Sequence, residues 1–389
     1  MVTMSSERLA VIGGGVIGLS CAWRAAADGW TVTVVDPAPR SGASWVAGGM
    51  LAPVTEAWPG EEDLLALGVE SVARWPAFAA AVAEAAGQPV GLRADGTVVA
   101  ATGSGDRDEL DALAAHLARL ERSVESLTGR ALRRLEPAIG PDVRAGLSVP
   151  DDLAVDNRML LAALVTAAEK TGIEFDARSA DGVATEAGRV TGVRCAEGPD
   201  IAADVVLVCA GAHSAALHPA LTGLVRPVKG EILRLARRPG AFPAPRRTVR
   251  ALVDGRPMYA VPRDGDGLVV GATQAEQGFD TTVTVGGVRD LLRDAERVLP
   301  GVAEYALLEV AAGLRPGSPD NLPVIGALGP DGLLVATGHH RNGILLSPIT
   351  ADAVAALLRD EPVPEPVRAA DPARFTHGEE SPGARVDQR

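Results

Sequence analysis

Residues 8–36 read RLAVIGGGVIGLSCAWRAAADGWTVTVVD, and the punctuation of this stretch decides the fold. A short apolar strand over residues 9–12 runs into Gly13-Gly14-Gly15-Val16-Ile17-Gly18, a G-x-G-x-x-G spacing at a strand-to-helix handover. A second apolar strand, residues 31–35, ends in Asp36. Gly13 takes the tight turn, Gly15 lets a pyrophosphate approach the backbone, and Gly18 lets helix and strand pack closely. The helix start offers free N–H groups and a positive dipole end to phosphates. Asp36 is placed to accept hydrogen bonds from both ribose hydroxyls, and its charge repels a 2′-phosphate. The stretch predicts a bound dinucleotide and leaves NAD and FAD both open.

The rest of the composition narrows the class. A chain of 389 residues has length for two domains, or one with an inserted part, and ample core. Its formal net charge of −13 argues against nucleic acid as a partner. Cys21, Cys195 and Cys209 each fall in an apolar helix or strand and read as small buried hydrophobes, not disulfides or metal ligands. No signal peptide is expected, and the apolar runs are broken by glycines or charges short of a membrane span. The expectation is a cytoplasmic protein without membrane or metal.

Past Asp36 the chain departs from simple strand–helix alternation. RSGASWVAGGMLAP, residues 40–53, is a small-residue loop that exposes backbone donors and leaves room for something flat. Residues 55–63 are a candidate lid. Residues 64–86 predict a helix with Trp75 and Phe78 on its core face. Residues 90–101 predict a hairpin turned at Ala94-Asp95-Gly96, and residues 106–120 an amphipathic helix whose His116 is exposed. Asp156 or Asn157 caps a helix from Arg158. A buried strand at 204–209 stops at Ala210-Gly211, a second close backbone approach to the cofactor. From Pro227 the chain turns β-rich. Residues 1–85, 141–222 and 306–365 are expected to form the dinucleotide part. Residues 86–140 and 223–305 form a second α+β part with a mainly antiparallel sheet, and residues 366–389 a disordered tail.

The second informative block is AAGLRPGSPDNLPVIGALGPDGLLVATGHHRNGILLSP, residues 311–348. Arg315 stands on a segment otherwise free of charge until Asp320 and suits a bidentate grip on a small carboxylate; an internal ion pair is the competing use. Residues 338–343 make a loop into an apolar helix, whose start aims N–H donors at an electron-rich acceptor.

Together, GGGVIG, ASWVAGGMLAP, VDNR, RPVKGE, YAVPR, GATQAEQGFD, GLRPGSPDNLPVIG and GHHRNGILLSP resemble the D-amino acid oxidase superfamily of FAD enzymes, most closely its glycine oxidase branch from thiamine biosynthesis. The resemblance runs in family order from Arg8 to about Leu358. It implies an α/β fold, a Rossmann-like FAD-binding domain plus a substrate domain, with FAD held non-covalently. By the same resemblance, Val16 and Ile17 follow the pyrophosphate turn, and Asp36 holds the adenosine ribose. Ala43, Ser44, Gly48, Gly49 and Met50 line the flavin, and Val183 meets the adenine side through its backbone. His339, His340, Arg341, Asn342, Gly343, Ile344 and Leu345 close over the ring. Arg315 holds the substrate carboxylate with Tyr259 beside it, and Arg341 binds substrate, steadies the lid or supports the flavin. The sequence departs from the family at Gln274, where other members carry an apolar residue, and at the paired His339-His340. No cysteine near Arg315 or His340 offers a covalent flavin link.

The implied chemistry is hydride transfer from Cα to the flavin, hydrolysis of the imine to glyoxylate and ammonia, and reoxidation by oxygen to hydrogen peroxide. It requires no acid or base from the chain. Partners would be a small amino acid or amine, oxygen, a thiazole synthase and a second copy of the chain. The rivals are a sarcosine or D-amino acid oxidase, a flavin-binding subunit without turnover, and an NAD-dependent dehydrogenase.

Overall fold

The computed structural model describes residues 7–122 and 124–375. Strands Arg8–Ile12 and Val205–Val208 lie at the centre of a six-stranded sheet, with Thr31–Val35 beside the first. Its pairs run parallel except for the edge hairpin Val324–Ala327 with Leu333–Thr337. The first strand is apolar at every position from Leu9 because both faces are buried. Leu9 and Val11 face a layer of helices that includes Val16–Ala27, Asn157–Lys170 and Gly343–Leu358. Ala10 and Ile12, pointing the other way, pack on Val183, Val190 and Val193 of the hairpin Ala180–Glu186 with Arg189–Cys195.

An eight-stranded sheet forms the second layer, antiparallel except where Thr248–Val253 runs parallel to Thr97–Ala101. The helix Val285–Val298 packs Leu291, Ala295 and Val298 on its apolar face. Ala145–Val149 and Ala306–Gly317, expected in the dinucleotide part, pair into this sheet instead.

Four further expectations change. The 90–101 hairpin does not form: Leu92–Arg93 pairs with Leu153–Val155, whereas Thr97–Ala101 joins the large sheet, so the glycine turn switches the chain between sheets. His116 is buried at 5% exposure, against Arg119 and Glu62. Residues 366–375 are ordered, because Val367 and Ala370 cover the helix layer; the remainder of the expected tail lies outside the described residues. Glu62–Ala86 is, by length and composition alone, apolar enough to cross a membrane. Here Leu64, Leu67, Trp75 and Phe78 turn into the core, the last two rings edge to face at 5.4 Å.

Candidate active site

A cavity of about 860 Å³ lies between the two sheets, within the range of roughly 300–1,000 Å³ typical of ligand sites. One wall is the G-x-G-x-x-G turn. Gly13 has φ +114°, and a Cβ there would stand 2.4 Å from the Cys209 carbonyl oxygen. Beneath it, a Cβ on Gly18 would stand 1.9 Å from the Gly13 oxygen. Gly18 therefore sets the seat and does not line it. The helix that follows has no side-chain cap at Gly15; the Val16 N–H donates to Ser44 Oγ at 3.0 Å. Asp36, at the end of the second strand, accepts the Gly14 N–H at 2.6 Å and the Ala38 N–H at 2.8 Å. Its carboxylate fixes the glycine turn and keeps lone pairs for a ribose.

Gly13, Gly15, Val16, Ile17, Asp36, Ala43, Ser44, Gly48, Gly49, Met50, Ala210, Gly211 and the run His339 to Leu345 all line this one cavity, as do Arg315 and Tyr259. Val183 does not. Its N–H is spent on the Leu217 carbonyl, its partner in the hairpin is Val193, and its side chain is in the core. Ala180, which opens the same strand, and Ser179 just before it line the cavity in its place.

At the far end stand Arg315 and Tyr259. Arg315 arrives on the strand Ala306–Gly317 opposite Val228, and a Cβ on Gly230 would come 2.2 Å from its Nη1. The missing side chain makes room for the guanidinium. Nη1 donates to the backbone oxygens of Thr273 at 3.2 Å and Lys229 at 3.4 Å. Among the described residues no carboxylate lies within ion-pair distance of it, so the internal ion pair that competed with substrate binding is not made. Burial pushes Arg315 below its usual value, while Tyr259 and Glu56 pull it back up and Arg341 adds to the fall. Tyr259 is held between glycines, with hypothetical Cβ atoms of Gly271 and Gly48 at 2.4 and 2.7 Å from its ring. Burial pushes its phenol up, against the opposing pull of Arg315. It stays a protonated donor.

Arg341 has a different neighbourhood. Its Nε pairs with Glu56 at 3.0 Å and its Nη2 with Glu61 at 3.5 Å, both on the candidate lid. Glu56 also pairs with Arg250 at 3.0 Å. Of the three uses expected for Arg341, the geometry matches lid bracing. His339 is buried with Nε2 at 3.1 Å from Thr350 Oγ1, and burial drops it to about 3. His340, at φ +46°, has a buried Nε2 without a partner; burial first, then Arg341, Arg315 and Arg226, bring it to about 3. Both imidazoles are neutral at ordinary pH.

Sequence reading missed Glu56 and Arg250, whose pairing across segments 194 positions apart leaves no local pattern. It also missed Ala180, a small residue in an ordinary strand.

The cavity suits a dinucleotide with a flat ring system: a helix start and a carboxylate at one end, small-residue walls along its length, and at the other an arginine with no acidic partner among the described residues. Comparison with known proteins agrees. Residues 8–357 match the family described as FAD dependent oxidoreductase. The chain is 33% identical to the bifunctional protein ThiO/ThiG of Nostoc sp. over 91% of its own length and 53% of that protein's. It is 34% identical to the glycine oxidase of Geobacillus kaustophilus, covering 90% of this chain and 92% of that one. The crystal structure of the Geobacillus enzyme superposes with a TM-score of 0.86 at 30% identity, over 94% of this chain and 98% of that chain. The chain thus spans about half the length of the bifunctional relative and nearly the whole of the glycine oxidase.

Proposed function

This chain belongs to the family of FAD dependent oxidoreductases, and we propose that it oxidises glycine and other small amines to glyoxylate, ammonia and hydrogen peroxide. The observation that carries this reading is Arg315: a cavity-wall cation that, among the described residues, bonds to backbone carbonyls alone, with Tyr259 beside it. A buried cation without a counter-charge is costly unless a ligand supplies one. An amino acid carboxylate does so, taking the guanidinium fork and the phenol O–H together.

Residues 13–18, Asp36, 43–50 and 339–345 would hold FAD. Bound FAD would supply the two-electron acceptor for oxidation at the substrate Cα, with oxygen as the final oxidant. The chain's own task is alignment. Arg315 and Tyr259 fix the carboxylate and thereby the direction of the Cα–H bond. The start of the helix Gly343–Leu358 presents backbone N–H groups to the cavity, where they stabilise developing negative charge. Glu56, held by Arg250 and Arg341, closes the lid over the site and limits water. A neutral substrate amine needs no protein base. We further propose that the imine product serves thiazole formation in thiamine biosynthesis, with a thiazole synthase as partner. The two-part ThiO/ThiG name of the Nostoc relative supports this.

Anaerobic addition of glycine to the purified yellow protein tests the reading: the flavin band near ~450 nm bleaches and air restores it with peroxide release. Turnover of a bulky D-amino acid with none of glycine or sarcosine would reject the substrate assignment.

A further inference from the structure

The cavity wall at residues 43–50, ASWVAGGM, is made mostly of small residues with few side chains to lock its shape. It is held through its carbonyls. Asn157, fully buried, donates from Nδ2 to Ser44 O at 2.8 Å and Trp45 O at 2.9 Å. Its Oδ1 accepts from Arg263 Nη2 and Arg234 Nη2, both at 3.2 Å. Arg263 Nη2 also donates to Gly48 O at 2.7 Å, and the Val155 N–H donates to Gly49 O at 2.8 Å. Asn157, Arg263 and Val155 do not line the cavity, so four carbonyls of the wall are drawn from behind.

We propose that Asn157 and Arg263 are positioning residues that set this wall in the shape that receives FAD, turning its carbonyl lone pairs away from the cofactor. The inference rests on the reading that the cavity holds FAD. Asn157 is free for this because Asp156 caps the helix Asn157–Lys170, accepting the Arg158 and Met159 N–H groups. Arg263 is 8% exposed, with its Nε 3.3 Å from Asp156 Oδ2. Two guanidiniums converging on one amide oxygen are a costly way to fill a core. The arrangement makes sense as a tie. Asn157 begins a helix of the dinucleotide layer, Arg234 and Arg263 sit on strands of the large sheet, and the cavity wall lies between them.

Asn157→Asp keeps the shape and the acceptor for both arginines and loses both donors to the wall. The dissociation constant for FAD should rise roughly 10- to 100-fold, the cost of two buried hydrogen bonds. The remaining bound flavin should show a shifted visible band and a lower midpoint potential, and the FAD affinity of the folded fraction should fall beyond any drop in the apoprotein melting temperature from the two lost bonds. Arg263→Lys, which keeps the charge beside Asp156 but not the reach to Gly48, should move the same readouts less. A variant pair with wild-type affinity, band and potential rejects the tie, as does a drop in apoprotein melting temperature with unchanged affinity of the folded fraction. A wild-type chain that takes up no FAD sinks the cofactor reading and this proposal with it.

Discussion

Replacing Arg315 with methionine separates its two candidate uses, because they predict opposite effects on stability. Methionine retains much of the apolar stem and removes the charge. If Arg315 holds substrate, the loss is of hydrogen bonds to a charged group, about 1.5–3 kcal/mol, or roughly 10- to 150-fold in kcat/KM for glycine. Tyr259 remains to hold part of the carboxylate. The empty protein should not suffer. Arg315 makes two long bonds to the Lys229 and Thr273 carbonyls and has no acidic partner among the described residues, so its desolvation is poorly offset. Its removal should leave the melting temperature of the unliganded protein level or higher. Acetate, a carboxylate without an amine, supplies a control: at one hundred times its wild-type dissociation constant it should stabilise the wild type by about 2.7 kcal/mol and Arg315→Met by only about 0.3–1.4 kcal/mol. Steady-state peroxide release and thermal melts with and without acetate measure all three effects. Unchanged kcat/KM, or a lowered melting temperature that accounts for the lost activity, would refute the carboxylate grip and make Arg315 a tie between strands.

Gly18→Ala places a methyl 1.9 Å from the Gly13 oxygen, so the helix must back away from the turn; soluble yield and FAD content should both fall sharply, and a wild-type melt with full FAD content would contradict the seat described here. Asp152 is 2% exposed, bonded to Thr55 beneath the lid, and burial raises it from 3.8 to about 7. The folded chain therefore keeps a proton that the unfolded chain releases, and the stability this gives is whole below pH ~4 and lost as pH rises through about 7, with an upper bound of roughly 4 kcal/mol. Asp152→Asn should flatten that part of the melting temperature–pH profile, whereas parallel profiles for the two proteins would show that Asp152 does not hold the proton.

The legible features were those that chemistry confines to a short stretch. The turn at residues 13–18 and Asp36 could be read because a phosphate-binding turn must place its glycines, helix start and acid within one strand–helix–strand unit. Arg315 stood out because its own segment had no acid to neutralise it, and among the described residues the folded chain brings none to it either. Val183 failed for the opposite reason. Strand periodicity fixes which residues alternate, but the tertiary partner decides which face looks at the cofactor, and the Leu217 carbonyl claimed its N–H. The same limit hid Asn157. In the sequence it is one of two adjacent cap candidates, Asp156 and Asn157, and either could close the helix. Only when Asp156 takes the cap does Asn157 become a four-bond junction, to Ser44, Trp45, Arg234 and Arg263, with partners up to 113 positions away. Arg341 shows how far such tertiary pairing reaches into function. Its place in GHHRNG put it at the cofactor, but Glu56 and Glu61, from the candidate lid some 280 residues earlier, pair with its guanidinium. Under the proposed function, a substrate carboxylate entering the site would find Arg315 without an acid partner among the described residues and Arg341 already paired with Glu56 and Glu61. On the proposed reading, that asymmetry would let one arginine select the substrate while the other holds the lid.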